Sequence, residues 1–442
     1  MQLSDDFIQY TRQLFGSERF EQFMQALDEE LPVSIRLNPK RFSHVEYGTL
    51  AARLDRVPWC QNGFYLPTRP NFTFDPLLHA GCYYVQEASS MFLDEVLRQH
   101  LPSLTIDGGL QTTDGLQTTD RLQITDERLK TKDYRALKCL DLCAAPGGKS
   151  TLMRSVLPEN SVLYSNEPMH KRASVLLENV EKWGYENHFV TNLYPKDYRK
   201  SKMKFDVILC DVPCSGEGMF RKDSNAASEW STQNVEKCWQ LQREIVADAW
   251  QCLADGGLLI YSTCTFNTKE NEENVRWIME ELGAEVLPVA TKPEWGITGS
   301  LLEGFNEPVY RFIPGYTRGE GLFMAVLRKP SDGHVNENET AFRESRNNSK
   351  GKVPTLERLN GDAASTQYPI VDLDYAQAIA YLRGEAITLP AETPRGIVNV
   401  SFMGHVLGQV KNIGSRANNL YPKEWRIKTT HVPQQYEPVI CS

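Results

Sequence analysis

The 442-residue sequence has no apolar run of eighteen residues, so no membrane-spanning helix is expected. Its start, Met1-Gln-Leu-Ser-Asp-Asp6, lacks the basic-then-apolar pattern of a secretion leader, and the chain reads as cytoplasmic. An excess of basic charge is also missing. There are 48 Lys and Arg against 57 Asp and Glu, a net charge of −9, so the composition as a whole does not advertise a nucleic-acid partner. Without a secretory context the 10 cysteines are expected as reduced thiols, not as a disulfide framework, and each thiol's chemistry has to be argued singly. What the chain does have, 41% hydrophobic and 24% charged residues, excludes wholesale disorder, and its length predicts two to four folded units.

The first hundred residues combine a helix-like stretch, Phe15 to Leu31, with a short strand-like segment, Val33 to Pro39, and read as a small α+β unit over 1–102. A six-residue repeat follows, Gly109-Leu-Gln-Thr-Thr-Asp114, copied as Gly115 to Asp120 and in degraded form as Arg121 to Asp126. One Leu per unit cannot bury a core, so 103–133 is expected to be a disordered surface loop. Over 134–330 apolar runs alternate with helical stretches, the pattern of a doubly wound α/β sheet. Strands are expected at Ala136–Cys143, Val162–Asn166, Phe205–Asp211 and Gly257–Thr263, with helices at Lys171–Trp183 and Ser231–Leu253. A polar linker, 331–367, then leads to a small, separate β-rich module at 368–442. That module reverses the overall charge balance. From Arg395 onward six bases (Arg395, Lys411, Arg416, Lys423, Arg426, Lys428) face two acids, Glu424 and Glu437, and a basic face can sit inside an acidic total.

Asp141-Leu-Cys-Ala-Ala-Pro-Gly-Gly-Lys-Ser150 runs from a strand through a Gly-rich turn into a helix, which brings backbone amides to a ligand at the carboxyl edge of a parallel sheet. The turn lacks the G-x-G-x-x-G of a dinucleotide site. A P-loop would need glycine where Cys143 stands, and Pro146 removes an amide from the phosphate cradle, although Gly148-Lys149-Ser150 matches the end of that motif. An adenosyl ligand needs an acid at the end of the second strand for its ribose hydroxyls, and Glu167 stands there. As an acid ahead of Pro168, Glu167 also suits a plain helix start.

Two later strands end in thiol-bearing turns, Asp211-Val-Pro-Cys-Ser-Gly-Glu-Gly218 and Ser262-Thr-Cys-Thr265. Neighbouring parallel strands open onto one crevice, so Cys214, Cys264 and Asp211 are expected to meet one substrate. A buried small hydrophobe is the ordinary role of a lone cysteine, but it does not account for two thiols in polar turns at strand ends. The four-residue spacings Cys139/Cys143 and Cys210/Cys214 do not match a zinc knuckle, and no metal is expected.

Together, in this order, the three motifs closely resemble the signatures of the Nol/Nop/Sun family of RNA cytosine-5 methyltransferases. Gln86-Glu-Ala-Ser-Ser-Met91 extends the resemblance upstream. In the tail, Tyr381-Leu-Arg-Gly384, Gly408-Gln-Val-Lys411 and Asn419-Leu-Tyr-Pro422 are similar to the PUA-like module of the bacterial small-subunit rRNA methyltransferase F group. The resemblance implies a Rossmann-like class I methyltransferase sheet, an N-terminal RNA-binding unit, S-adenosyl-L-methionine as methyl donor and RNA as partner, with a monomer expected. It implies that Cys264 attacks the base, that Asp211 in protonated form hydrogen-bonds N3, that Cys214 assists release, and that Lys149 orients Asp211 or the base. For the methyl donor it implies Cys143, Ala144, Ala145, Pro146, Gly147, Gly148 and Lys149 at the methionine portion, Glu167 at the ribose and Asp211 near the sulfonium. Where relatives carry an acid for the adenine, this chain has Asn192, and Arg172 reads as surface charge. The tail favours small-subunit ribosomal RNA over transfer RNA as substrate. A DNA enzyme using Cys214 as nucleophile, an NTPase and a non-catalytic ribosome-assembly factor are the other readings.

Overall fold

Continuous apolar runs form the middle of an eight-stranded sheet, because strands covered on both faces need no polar side. The computed structural model describes residues 3–105, 135–331, 353–358, 367–429, 432–433 and 435–440. The main sheet comprises β5 (Lys138–Asp141), β6 (Val162–Asn166), β7 (His188–Thr191), β8 (Phe205–Asp211), β9 (Leu253–Thr263), β10 (Glu285–Leu287), β11 (Tyr310–Phe312) and β12 (Leu322–Arg328). Their order is β10-β12-β9-β8-β5-β6-β7, with β11 paired to β12. The pairs from β9 to β7 are parallel and β12 runs antiparallel to β9. From β5 the chain passes to β6 on one side and returns to β8 on the other, so the carboxyl ends of β5 and β8 flank the switch-point crevice where such sheets bind ligands.

Most element bounds match expectation within a few residues. The first main-sheet strand is the shorter Lys138–Asp141, and β9 begins at Leu253, directly after the helix Thr232–Cys252. The leading helix differs more: it covers Asp5–Leu27, not Phe15–Leu31, and is broken at Gly16 (φ 71°). Its residues Phe7, Phe15 and Phe23 pack on Phe220, Trp230 and Phe266, so it lies behind the thiol turns. The expected cut at 102 runs through a helix, Phe92–Thr105, whose Phe92, Val96 and Leu101 share a core with Cys139, Leu209 and Ile260 of the main sheet.

The repeat falls outside the described residues, as does most of the expected linker. One piece of that linker, 353–358, is held against the sheet. Leu356 donates its amide to Val190 O (2.8 Å) and Arg358 reaches Tyr185 O, which covers the open edge of β7.

In the N-terminal unit β1 (Val33–Leu37), β2 (Asp55–Arg56), β3 (Gly63–Leu66) and β4 (Tyr83–Val85) form a sheet of order β2-β3-β1-β4. Arg36 leaves it fully buried and donates to Gln86, Thr151 and the carbonyl of Gly148, with Trp183 4.4 Å from its guanidinium. Burial lowers its pKa from 12.5 to about 10. A Cβ at Gly81 (φ +70°) would meet Lys182 O at 1.8 Å, so only glycine allows this approach to the helix His170–Trp183.

The C-terminal module is not separate. Its strands β13 (Ile370–Asp372), β14 (Gly396–Phe402), β15 (His405–Asn412) and β16 (Ala417–Asn419) and its helix Tyr375–Leu382 share one hydrophobic core with the N-terminal sheet. Ile35, Phe64 and Tyr83 pack there with Ile379, Val400 and Trp425. The buried Asp75 accepts from Tyr83 within the N-terminal unit and from Tyr436 across the joint. Among the described residues no helix is long and apolar enough to cross a membrane.

Candidate active site

β5 ends in Asp141, and the turn that follows is fastened at each step. Leu142 donates to Leu209 O and Ala144 to Asn166 O (2.8 Å), while Gly147, at φ 117°, turns the chain into the helix Gly148–Val156. Asn179 donates to Pro146 O (2.8 Å) from the neighbouring helix. Cys143 sits in this turn as a thiol whose pKa burial drives well above the usual range, which argues for packing over nucleophilic chemistry. Asp141 is fully buried. One oxygen accepts from Ser150 Oγ (2.5 Å), while the other is buried without a hydrogen-bond partner among the described residues. Burial, with the nearby Asp211 adding to it, raises this acid from 3.8 to about 7. Between about pH 4 and 7 the folded state therefore holds a proton that the unfolded chain releases. The stability linked to Asp141 is complete at the acid end of that window and is lost as pH rises through 7. In melts of the ligand-free protein at pH 5 and pH 8, Asp141→Asn is expected to lessen the fall in Tm seen in the parent; parallel falls would refute this.

At the end of β6 the buried Glu167 accepts the Met169 amide (2.9 Å) and pairs with Arg172 (3.1 Å). Arg172 is half exposed, yet it is more than surface charge, because its other nitrogen donates to Ala145 O (2.9 Å) and ties Glu167 to the turn after β5. Asn192, expected at the adenine, is already committed. Its amide donates to the carbonyls of Glu167 (2.7 Å) and Pro168 (2.9 Å), so it braces the loop that carries Glu167.

Across the crevice the two thiols meet, with Cys214 Sγ 3.1 Å from Cys264 Sγ. The hydrogen bond with Cys264, then burial, holds the Cys214 thiol well above its usual range and keeps it protonated. Beside them Asp211 accepts from Lys149 Nζ (2.9 Å) and from Ser262 Oγ (2.5 Å). Burial alone would lower Lys149, but Asp211, Cys264 and Asp141 outweigh it and raise the ammonium above its ordinary range. Lys149 and Ser262 thus hold the Asp211 carboxyl from both of its oxygens at the mouth of the crevice.

Beneath the thiols lies a polar network that sequence reading missed. Glu217 accepts from Trp230 Nε1 (2.9 Å), from the Phe266 and Asn267 amides and from the Asn267 side chain. Glu270 accepts from the Ser215 amide (3.0 Å), Gln242 and Asn267. Burial and then Glu217 push Glu270 from 4.5 to about 7. Gly218 donates to Cys264 O (2.6 Å), and a Cβ at Gly218 would stand 2.8 Å from that same oxygen. Glu217 and Ser262 lay inside quoted motifs, whereas Glu270 lay in an acidic run, Glu270-Asn-Glu-Glu273, that looks solvated. Among the described residues no group of three or more His, Cys, Asp or Glu could hold a metal ion, and nine cysteines are free thiols.

A Rossmann-like mixed sheet, with a glycine-rich turn after its first strand, an acid after the second and a thiol pair after the fourth and fifth, defines a methyltransferase domain, here flanked by an N-terminal unit and a PUA module. The family model described as 16S rRNA methyltransferase RsmB/F matches residues 128–328. The N-terminal domain of 16S rRNA methyltransferase RsmF matches 3–88 and the methyltransferase RsmF PUA domain matches 368–427. The three matches, all described for the same kind of methyltransferase, together take in most of the chain. Relatives named ribosomal RNA small subunit methyltransferase F include one from Serratia proteamaculans, 29% identical over 73% of this chain and 62% of its own length. One from Escherichia coli is 30% identical over 74% and 63%. These alignments span less than two thirds of those relatives, whereas one from Cronobacter sakazakii, 27% identical, extends over 91% of this chain and 92% of the relative. Among solved structures, a methyltransferase homolog from Pyrococcus horikoshii has a TM-score of 0.55 at 24% identity, covering 74% of this chain and all (100%) of the other. NSun6 from the same organism, solved with SFG, has a TM-score of 0.56 at 19% identity, covering 74% and 99%. At these identities the likeness is one of fold.

Proposed function

We propose that this protein transfers a methyl group from S-adenosylmethionine to carbon 5 of a cytosine in structured RNA, with small-subunit ribosomal RNA as the substrate, through a covalent bond between Cys264 and the base. The observation that carries this reading is the thiol pair, 3.1 Å apart, beside the Lys149–Asp211 pair at the carboxyl ends of β8 and β9. Carbon 5 of cytosine is a weak nucleophile until a group adds at carbon 6, and a thiolate both adds well and leaves well. Cys264 forms the bond to carbon 6, and the electron pair of the 5,6 double bond moves toward carbon 5 and N3. Lys149, oriented by Asp211, provides a proton at N3 for that charge. When bound, S-adenosylmethionine supplies an electrophilic methyl group. After methyl transfer the carbon 5 proton leaves to solvent, N3 returns its proton to Lys149 and the bond from Cys264 to carbon 6 breaks, while the protonated Cys214 thiol assists release by hydrogen-bonding the departing sulfur.

The residues fit such a methyl donor. Asp141 keeps a buried acceptor oxygen at the turn, suited to an ammonium, and Glu167 offers a carboxyl to ribose hydroxyls. S-adenosylmethionine is therefore expected to raise the Tm while ATP does not, and Glu167→Ala is expected to weaken its binding about tenfold, one lost charged hydrogen bond. Bisulfite sequencing of ribosomal RNA from cells with and without the gene tests the reaction itself. An unchanged cytosine map would refute it.

The target base must leave its stack to reach the thiols, which favours a loop or bulge. The N-terminal unit and the PUA module, joined through one core, would present that RNA as a single surface.

A further inference from the structure

A second cavity, of about 350 Å³, lies where three parts of the chain meet. It is walled by the Phe72–Val85 segment and by the outer side of helix His170–Trp183, and Lys182 on its rim lies 5.6 Å from the ring of Trp425 in the C-terminal module. Its volume falls within the ~300–1,000 Å³ of small-molecule sites. The walls are rich in rings, Phe72, Tyr83, Tyr84 and Trp183, with Tyr84 set edge-on to Trp183 at 6.4 Å. No step at the thiols uses any of them.

The polar groups here are specific. His79 Nε2 lies 2.9 Å from Thr73 O and so carries the ring proton, which leaves Nδ1 to accept from Lys182 Nζ (3.3 Å). Burial and then Lys182 drive His79 down to about 3, so the ring is neutral. The Tyr84 hydroxyl accepts from Asn179 Nδ2 (3.4 Å), and among the described residues its own proton has no acceptor. One cation, Lys182, lines the rim.

The cavity also connects to the reaction site. A Cβ on Gly148 would be 3.4 Å from the Tyr84 ring, and Asn179 bridges the Tyr84 hydroxyl and Pro146 O in the turn after β5. From Tyr84 the chain runs on to Glu87 and Ser89, which accept from and donate to the backbone of Glu320, beside the Gly321 that packs on Gly218. One strand thus leads from the cavity to the thiol turns.

We propose that this cavity holds an unstacked nucleobase of the RNA strand flanking the target cytosine, and the proposal rests on the RNA reading above. Ring walls stack any base, the Tyr84 hydroxyl donates to a ring nitrogen or carbonyl, and Lys182 faces an adjoining phosphate.

The test uses full-length protein and small-subunit ribosomal RNA from cells lacking the gene. Tyr84→Ala removes a wall, and Thr73→Trp fills the cavity from an exposed rim position. Both are expected to weaken RNA binding, and to raise the KM for RNA, about 5- to 150-fold, the loss of one stacked base. The kcat at saturating RNA and the S-adenosylmethionine affinity should stay at parental values in both, and the Tm in Thr73→Trp, whereas Tyr84→Ala lowers the Tm through its lost packing. RNA affinity unchanged in both folded variants overturns the proposal. An equal loss of S-adenosylmethionine affinity also overturns it, by assigning these residues to support of the cofactor turn. A parent protein that methylates no RNA would overturn the underlying reading instead, an outcome visible before any variant is made.

Discussion

Cys264→Ala is expected to abolish methyl transfer, by about 10⁴-fold or more, the scale on which loss of a covalent nucleophile is felt. The side chain lies at the end of β9, half exposed, in contact only with groups that remain in place, so the variant should fold and bind S-adenosylmethionine normally. Cys214→Ala should behave differently. The thiol that forms the adduct is intact, but the neighbour placed to assist its release is gone, so a protein–RNA species stable to denaturing gels should accumulate. Radiolabelled methyl transfer and gel mobility of the complex read the two outcomes separately. If Cys264→Ala stayed active and Cys214→Ala lost all activity without an adduct, the roles would be exchanged, as in the DNA enzymes.

Substitution of Glu217 should be nearly as damaging, although Glu217 touches no substrate. Its carboxyl accepts two backbone amides from the Cys264 turn as well as Trp230 and Asn267, and its own backbone adjoins Gly218, which donates to Cys264 O. Gln at this site turns an N–H toward donors that cannot accept it, which costs about 3 kcal/mol or more in a buried place. The two turns then lose their common anchor. A shift of the thiols by about 1 Å costs roughly 100-fold in rate. Glu217→Gln is therefore expected to lower both Tm and kcat while leaving S-adenosylmethionine affinity intact, since Asp141 and Glu167 lie on other strands. A Tm at the parental value with full kcat would show that the turns hold their position without it.

The reaction residues were legible in the sequence because their chemistry is local. A Gly-rich turn needs Gly147 at positive φ, and a thiol beside Ser, Gly and Thr at a strand end stands out against buried runs such as Val207–Cys210. What the sequence did not reveal depends on partners distant along the chain. Arg172 reads as surface charge until Ala145 O and Glu167 converge on it. Asn192 reads as a ligand contact, and only the carbonyls of Glu167 and Pro168 show that its amide also braces the Glu167 loop. Glu270 reads as one charge in an acidic run until Ser215, Gln242 and Asn267 enclose it. The leading helix was misplaced for a related reason. Its apolar residues before Gly16 are widely spaced among polar ones, and only Trp230, Phe220 and Phe266 show which side they cover.

The core shared by the first and last parts of the chain has a consequence for biosynthesis. Ile35, Phe64 and Tyr83 emerge from the ribosome about 300 to 390 residues before Ile379, Val400 and Trp425, which cover them in the finished protein. At ~5–20 residues per second the early sheet waits roughly 15–80 s with its apolar side open to solvent. Nascent chains halted before residue 367 are accordingly expected to bind chaperones that release them only once the last strands are made. The closing of this core, and not the completion of the catalytic sheet, would then set the moment at which the protein becomes soluble on its own.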